Sequence, residues 1–275
     1  MDVSLMEAIV ETLVSQPPST GFFVLVTGAS RAMGVLFGLW GLTFLLGPAV
    51  LLRTVLAVIL TAPVLVIQGP ELVQLAAEAP RYGLLLVPVR EFVLGFGIGM
   101  MISIPFFAVL AAAMLIDQYR GDFSPGNEAP EETTVGAFGS LSVILVMFLF
   151  IDAGGLMLTV RTLYESFESF PPGIPSLTVS PGFASGLGAI LQDVMAALVL
   201  LALPIVLMMV LIEVGLSLIF RFAGKISFPA VDFLTKNLIF VLIMPVFFYS
   251  WSRAIEAHFA RAPLPLGTLE RLLGP

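Results

Sequence analysis

Ile116-Asp117-Gln118-Tyr119-Arg120-Gly121 stands between two long apolar runs, 92–115 and 138–160, and its polarity decides how the chain must fold. An apolar helix ends in this charged hexapeptide, an acidic stretch bearing glycine and proline follows to 135, and apolar sequence then resumes. Asp117 and Arg120 are near enough in sequence to pair with each other or with neighbouring helices. Gly121 lets the backbone turn where a side chain would clash. A polar, irregular segment between two bilayer-length helices has two sensible homes. It lies in water as an extramembrane loop, or inside a protein assembly where it lines a cavity.

Composition places the whole chain in the membrane class. Of 275 residues, 59% are hydrophobic and 11% charged, with a mean hydropathy of +1.07, whereas a soluble domain is about half apolar and a quarter charged. The chain has no cysteine, which excludes disulfides, thiolate chemistry and cysteine metal sites. The one histidine, His258, lies beside Glu256 near the C-terminus and reads as a surface residue. A net charge of −7 argues against nucleic acid, whose phosphates need clustered Lys and Arg. Asp2, Glu7 and Glu11 precede the first basic residue, Arg31, so no positive n-region of a cleavable signal is expected.

Residues 1–14 carry apolar side chains at helical spacing with acids opposite, the pattern of an interfacial amphipathic helix. Apolar runs at 22–46 and 48–66 follow, joined at Gly47-Pro48 and containing Arg31 and Arg53 respectively. Each approaches the roughly 20 residues that cross a bilayer. An arginine at mid-membrane costs about 2.5–3.5 kcal/mol or more without a partner. Both arginines therefore either snorkel from helix ends or meet carboxylates and carbonyls of packed helices. Pro70 and Pro80 bracket a short polar helix.

The next run opens with Pro88, Arg90 and Glu91. It places Gly95 and Gly99 on one helix face, where a neighbour can approach closely. Pro105 predicts a kink. Asp152 precedes Gly154-Gly155 at the end of the run 138–160, and a proline-rich loop is expected over 166–185. The run 187–222 contains Asp193, Pro204 and Glu213 and exceeds one bilayer crossing, so it tilts, kinks or projects. Arg221, Lys225 and Lys236 make the turn into a return helix basic, and the positive-inside rule puts that turn in the cytoplasm. Strict alternation then sends Arg253, Arg261 and Arg271 outside, against the same rule. This chain does not cross a bilayer conventionally.

No phosphate-binding loop, zinc-protease motif, nucleophile elbow or dinucleotide fingerprint is present. No cofactor is implied, and an enzyme is not expected. Asp152 and Asp193 are the intramembrane acids that could couple ions in a self-contained transporter. Transporters with discontinuous helices often show internal repeats, and the first half does not repeat in the second. Pairing of these acids with Arg31, Arg53 or Arg90 is the more common fate.

Several segments together resemble one family, the T subunit of the bacterial type III secretion export apparatus and its flagellar counterpart. Arg31 with Gly34 and the segment Pro48-Ala49-Val50-Leu51-Leu52-Arg53 resemble its opening helices, and Arg90-Glu91-Phe92 with Gly95 and Gly99 resembles its third. Ile116 to Gly121 resembles the I-D-x-Q-R-G loop of the injectisome branch, and Glu132-Thr133-Thr134-Val135-Gly136 its E-x-S-P-L-G-like run. Gly154-Gly155 with Leu163-Tyr164-Glu165-Ser166-Phe167 and Pro171 resembles the next block, and Glu213, Gly215, Arg221, Ala223 and Lys236 fit its C-terminal hairpin. The chain departs from the pattern at Tyr119, where the family has glutamine, at Thr134 for proline, and at Gly224-Lys225 for Pro-Gln.

The resemblance implies an all-α integral inner-membrane protein of broken, tilted helices. Residues 1–186 would be built like the R subunit, with a plug loop at 116–137, and residues 187–275 like the S subunit's helical hairpin. It implies a hetero-oligomeric export gate with R and S subunits, held in the ring base of the secretion machine and met by the switch subunit. Unfolded secreted proteins would be its cargo. On this resemblance Ile116, Asp117, Gln118, Tyr119, Arg120, Gly121 and Phe123 line the plug. Arg31, Arg53, Arg90, Glu91, Asp152, Asp193 and Glu213 pair between helices or subunits, and Arg221, Lys225 and Lys236 mark the cytoplasmic tip.

Overall fold

The computed structural model describes residues 18–42, 49–78, 83–120, 136–172, 183–223 and 228–261. Among them the fold is all α: α1 (Pro18–Gly38), α2 (Val50–Glu78), α3 (Gly83–Ile102), α4 (Ile104–Arg120), α5 (Ala137–Asp152), α6 (Gly155–Ser169), α7 (Phe183–Ala223) and α8 (Phe228–Arg261). The amphipathic stretch expected at 1–14 lies outside the described residues. By length and composition, the described residues hold four segments able to cross a membrane: Ser19–Gly38, Leu85–Ile102, Ala184–Ile219 and Leu234–Arg253. Two bent helix pairs bring the number to six if each counts as one span.

Local chemistry explains each break. α2 bends by 91° between Val50–Leu65 and Ile67–Ala77. Pro70 has no N–H for the carbonyl of residue 66 and its ring crowds that carbonyl, which places the bend there. The kink expected at Pro105 is a full break at Ser103, with Pro105 in the first turn of α4, where its missing donor does no harm. Ser103 stitches the break to the end of α1: its hydroxyl donates to the Gly38 carbonyl (2.9 Å) and accepts the Trp40 N–H (2.8 Å). The run 138–160, expected as one span, is instead two helices, α5 and α6, bent by 67°. Gly154 makes that bend in the left-handed region (φ 78°), and open space surrounds its α-carbon. Backbone conformation is therefore what requires glycine here. The loop expected from 166 starts later, since α6 runs to Ser169, and the return helix continues past Tyr249 to Arg261.

Two compact units divide the chain, one holding α1, α2, α3 and α6, the other α4, α5, α8 and nearly all of α7. In the first, α1 and α3 run parallel at close range. A Cβ on Gly34 would strike the Phe92 carbonyl, one on Gly38 the Phe96 carbonyl, one on Gly95 the Arg31 carbonyl and one on Gly99 the Val35 carbonyl. Two four-residue glycine spacings thus interlock, the small-residue packing that membrane helices use where apolar burial gives no advantage over lipid. On another side of α1, Phe23 and Val24 pack with Leu65 and Leu72 of α2 and Val87 of α3.

In the second unit α4 and α5 form an antiparallel pair, with Phe106 edge-on to Phe150 at 5.3 Å. α8 covers this pair through Phe240, Phe248 and Trp251, which surround Phe138. α7 is tied to α8 by polar rungs: the Trp251 indole N–H donates to the Leu201 carbonyl (3.2 Å), and Lys236 pairs with Glu213 (3.1 Å). Only 17% of its apolar segment is buried.

Replacing Gly99 by valine is expected to destabilise the protein by about 3 kcal/mol, the upper range for overpacking where backbone blocks relief. Gly188→Ala, where a Cβ meets nothing, is expected to be neutral or slightly stabilising. Thermal unfolding of the two variants in the same detergent measures the contrast.

Candidate functional site

The first unit is centred on a charge cluster without water contact. Arg31 on α1 and Glu91 on α3 are both fully buried and form an ion pair, with Arg31 Nε donating to Glu91 Oε2 at 2.7 Å. The remaining guanidinium donors turn to the C-terminal end of α6. Nη1 donates to the Ser166 carbonyl (2.6 Å) and hydroxyl (3.2 Å), and Nη2 to the Phe170 carbonyl (2.6 Å). The Phe167 ring lies beneath the guanidinium, 4.0 Å from its carbon. Arg90, whose side chain is mostly buried, donates to the other carboxylate oxygen of Glu91 (2.9 Å) and to the Pro171 carbonyl (3.1 Å).

Two cations and one carboxylate leave the cluster one positive charge in excess. That excess faces the last carbonyls of α6, which have no intrahelical partners and carry the negative end of the helix dipole. A planar fork of five donors meets a carboxylate and two carbonyls at once, a task for arginine and not for lysine. Arg53 is also buried, with its guanidinium 5.0 Å over the Phe37 ring of α1.

A second polar contact lies in the other unit. Asp117, in the last turn of α4, is fully buried. Its Oδ2 accepts the Gly139 N–H at 2.9 Å. Gly139 is the third residue of α5, so a carboxylate from α4 serves as the N-terminal cap of α5. Gly136, at the cap position, has no side chain to do so, and a Cβ there would strike the Asp117 carboxylate.

The other expected residues fall as follows. Ile116 is buried, whereas Gln118 and Tyr119 are exposed on the final turn of α4. Arg120 ends that helix, and its side chain, with Gly121, Phe123 and Lys225, lies outside the described residues. Lys236 is buried beside the half-exposed Glu213, and Arg221 is exposed. Asp152 and Asp193 are exposed and form no ion pair among the described residues. The pairing of Arg31 with either of them is corrected: its acid is Glu91, one helix away in a parallel packing that brings 31 level with 91–95. Sequence reasoning missed Gly38, Ser103 and the carbonyls of Ser166 and Phe170. Gly38 had a visible signal, standing four residues after Gly34 as Gly99 does after Gly95. Backbone carbonyls leave none.

The sequence model of the bacterial export proteins, family 1, matches residues 22–262. The chain belongs to this family. Among its relatives, the secretion system apparatus protein SsaT of Salmonella typhimurium is 27% identical over 217 residues, covering 78% of this chain and 81% of that protein. The Yop proteins translocation protein T of Yersinia pestis is 26% identical over 174 residues, 62% of this chain and 61% of its own length. The surface presentation of antigens protein SpaR of Salmonella typhimurium is 26% identical over 175 residues, 62% and 65% respectively. Membership of this export family, with several helices long and apolar enough to span, makes the chain a multi-pass protein of the bacterial inner membrane.

Removing one partner of a buried ion pair costs about 3–5 kcal/mol because a charge is left unmatched. Glu91→Ala, which abandons two buried arginines, is expected to fall in that range, and Arg31→Lys to lose less but measurably. Unfolding of each variant in detergent, followed by the fraction recovered as a monodisperse species, reads the effect.

Proposed function

We propose that this member of the bacterial export family is the T-type subunit of a type III protein-export gate of the injectisome branch. It joins R and S subunits to build part of a conduit for unfolded secreted proteins. The family match over 22–262, with relatives named for secretion and translocation, is the observation that carries this reading. The exposure of α7 supports it, since a helix 17% buried over its apolar segment needs neighbours. Residues 1–186 take the place of an R-like part and 187–275 of an S-like hairpin. The switch subunit meets the basic tip at Arg221, Lys225 and Lys236, and the ring base holds the assembly.

In this reading the chain performs no bond-making step. Its residues shape a passage and close it at rest. Gln118 and Tyr119, exposed at the end of α4, lead into the plug segment that continues through Arg120, Gly121 and Phe123. A backbone with glycine at its turn yields to an entering polypeptide and returns. Arg31, Arg90 and Glu91 hold the framework, while Asp152 and Asp193 are available to basic groups of neighbouring subunits. A self-contained transporter would need those two acids turned inward to a common site. Both are exposed.

The test is the native mass of the detergent-extracted protein, tagged and co-expressed with its chromosomal neighbours. One copy bound to several copies of two other small membrane proteins is the expected result. A stable monomer or homo-oligomer without such partners contradicts it.

A further inference from the structure

The carboxylate of Asp117 has a place that neither a plug lining nor an intersubunit pair requires. α4 and α5 are antiparallel, and two contacts fix their register independently. Phe106 faces Phe150 near one end, and Asp117 faces Gly139 near the other. From Phe106 to Asp117 is eleven residues, and from Gly139 to Phe150 is also eleven. The polar contact therefore sits where the apolar one says the helices should still be adjacent.

We propose that Asp117 is a clasp: by capping α5 from the end of α4, it holds together the two ends of the chain segment 118–135. Three features fit a clasp better than a lining group. The side chain is fully buried while the next two residues are exposed, so the boundary between fixed base and free chain falls at one peptide bond. The acceptor is supplied across helices although a serine or aspartate at 136 could have capped α5 locally, with its backbone at φ −65°, ψ 172° open to any residue. Glycine at 136 is what the arrangement demands, because a Cβ and the Asp117 carboxylate compete for the same space. A local cap would start α5 equally well, but it would not tie α5 to α4.

This inference rests on the plug reading for its consequence: the segment beyond Asp117 is displaced on a base that stays closed, so that it returns to one position. Asp117 is thus a positioning residue of the closed gate.

The substitution set separates capping from clasping, using the full export complex in native membranes or planar bilayers. Asp117→Ala is expected to lower the melting temperature and raise resting ion conductance severalfold. Asp117→Ala with Gly136→Ser supplies a local cap in the vacated space, and is expected to recover the melting temperature while the conductance stays high. Asp117→Cys with Gly139→Cys, in a chain that has no other cysteine, is expected to be tight when oxidised and leaky when reduced.

Conductance at the wild-type level in the double variant Asp117→Ala, Gly136→Ser would overturn the clasp and leave Asp117 a helix cap. So would conductance that ignores the redox state of the cysteine pair once the crosslink has formed. Deletion of 122–134 distinguishes the two readings. If it leaks while the double variant is tight, the clasp alone fails. If it stays closed, the plug reading fails and takes the clasp's part in closure with it.

Discussion

A guanidinium and a carboxylate, both without water contact, meet at Arg31 and Glu91, and the arrangement of the first unit depends on that contact. Neither charge is tolerable there alone. Meeting Glu91 requires α1 and α3 to lie close and in one register. The reciprocal glycines at 34, 38, 95 and 99 allow that approach by leaving backbone against backbone. The donors left over on Arg31 then require acceptors, and the last carbonyls of α6 supply them. One pair thus orients three helices. The turn at Gly154 gives α6 the direction in which its C-terminal end can be reached.

The second unit satisfies its polar groups differently. Asp117 joins two helices at their ends, and Lys236 and Trp251 join α7 to α8 at two separate levels, but long stretches of apolar surface remain uncovered. At 41 residues α7 is roughly 60 Å long, twice the ~30 Å hydrocarbon thickness. Lipid alone cannot cover such a helix unless it tilts steeply. The first unit completes its own interior, and the second presents surfaces that other chains of an export machine would complete.

The legible part of this fold was set by strong local signals. Apolar runs mark the helices because nothing else buries so many side chains, and Pro105 marks a break because it removes a donor wherever it stands. Gly95 and Gly99 marked a close approach, though not against which helix. The bend at Gly154 was harder: a Gly-Gly pair in an apolar run permits a left-handed residue but does not compel one, and the run reads equally as a continuous span. The partner of Arg31 was illegible for a different reason. Several acids lie in apolar sequence, and only the parallel register of α1 and α3 selects Glu91. Asp117 stood out as part of a charged hexapeptide, yet its burial depends on the distance between two helix ends that the intervening residues do not encode.

The claim that other proteins complete the second unit is tested most directly by photocrosslinking. A photoreactive phenylalanine analogue is placed at Leu200, Leu211 or Leu218, three exposed positions of α7, in cells that carry the whole export machinery. The account predicts discrete adducts with small membrane proteins of that machinery at all three positions. Adducts with lipid only, or none beyond the chain itself, would contradict it.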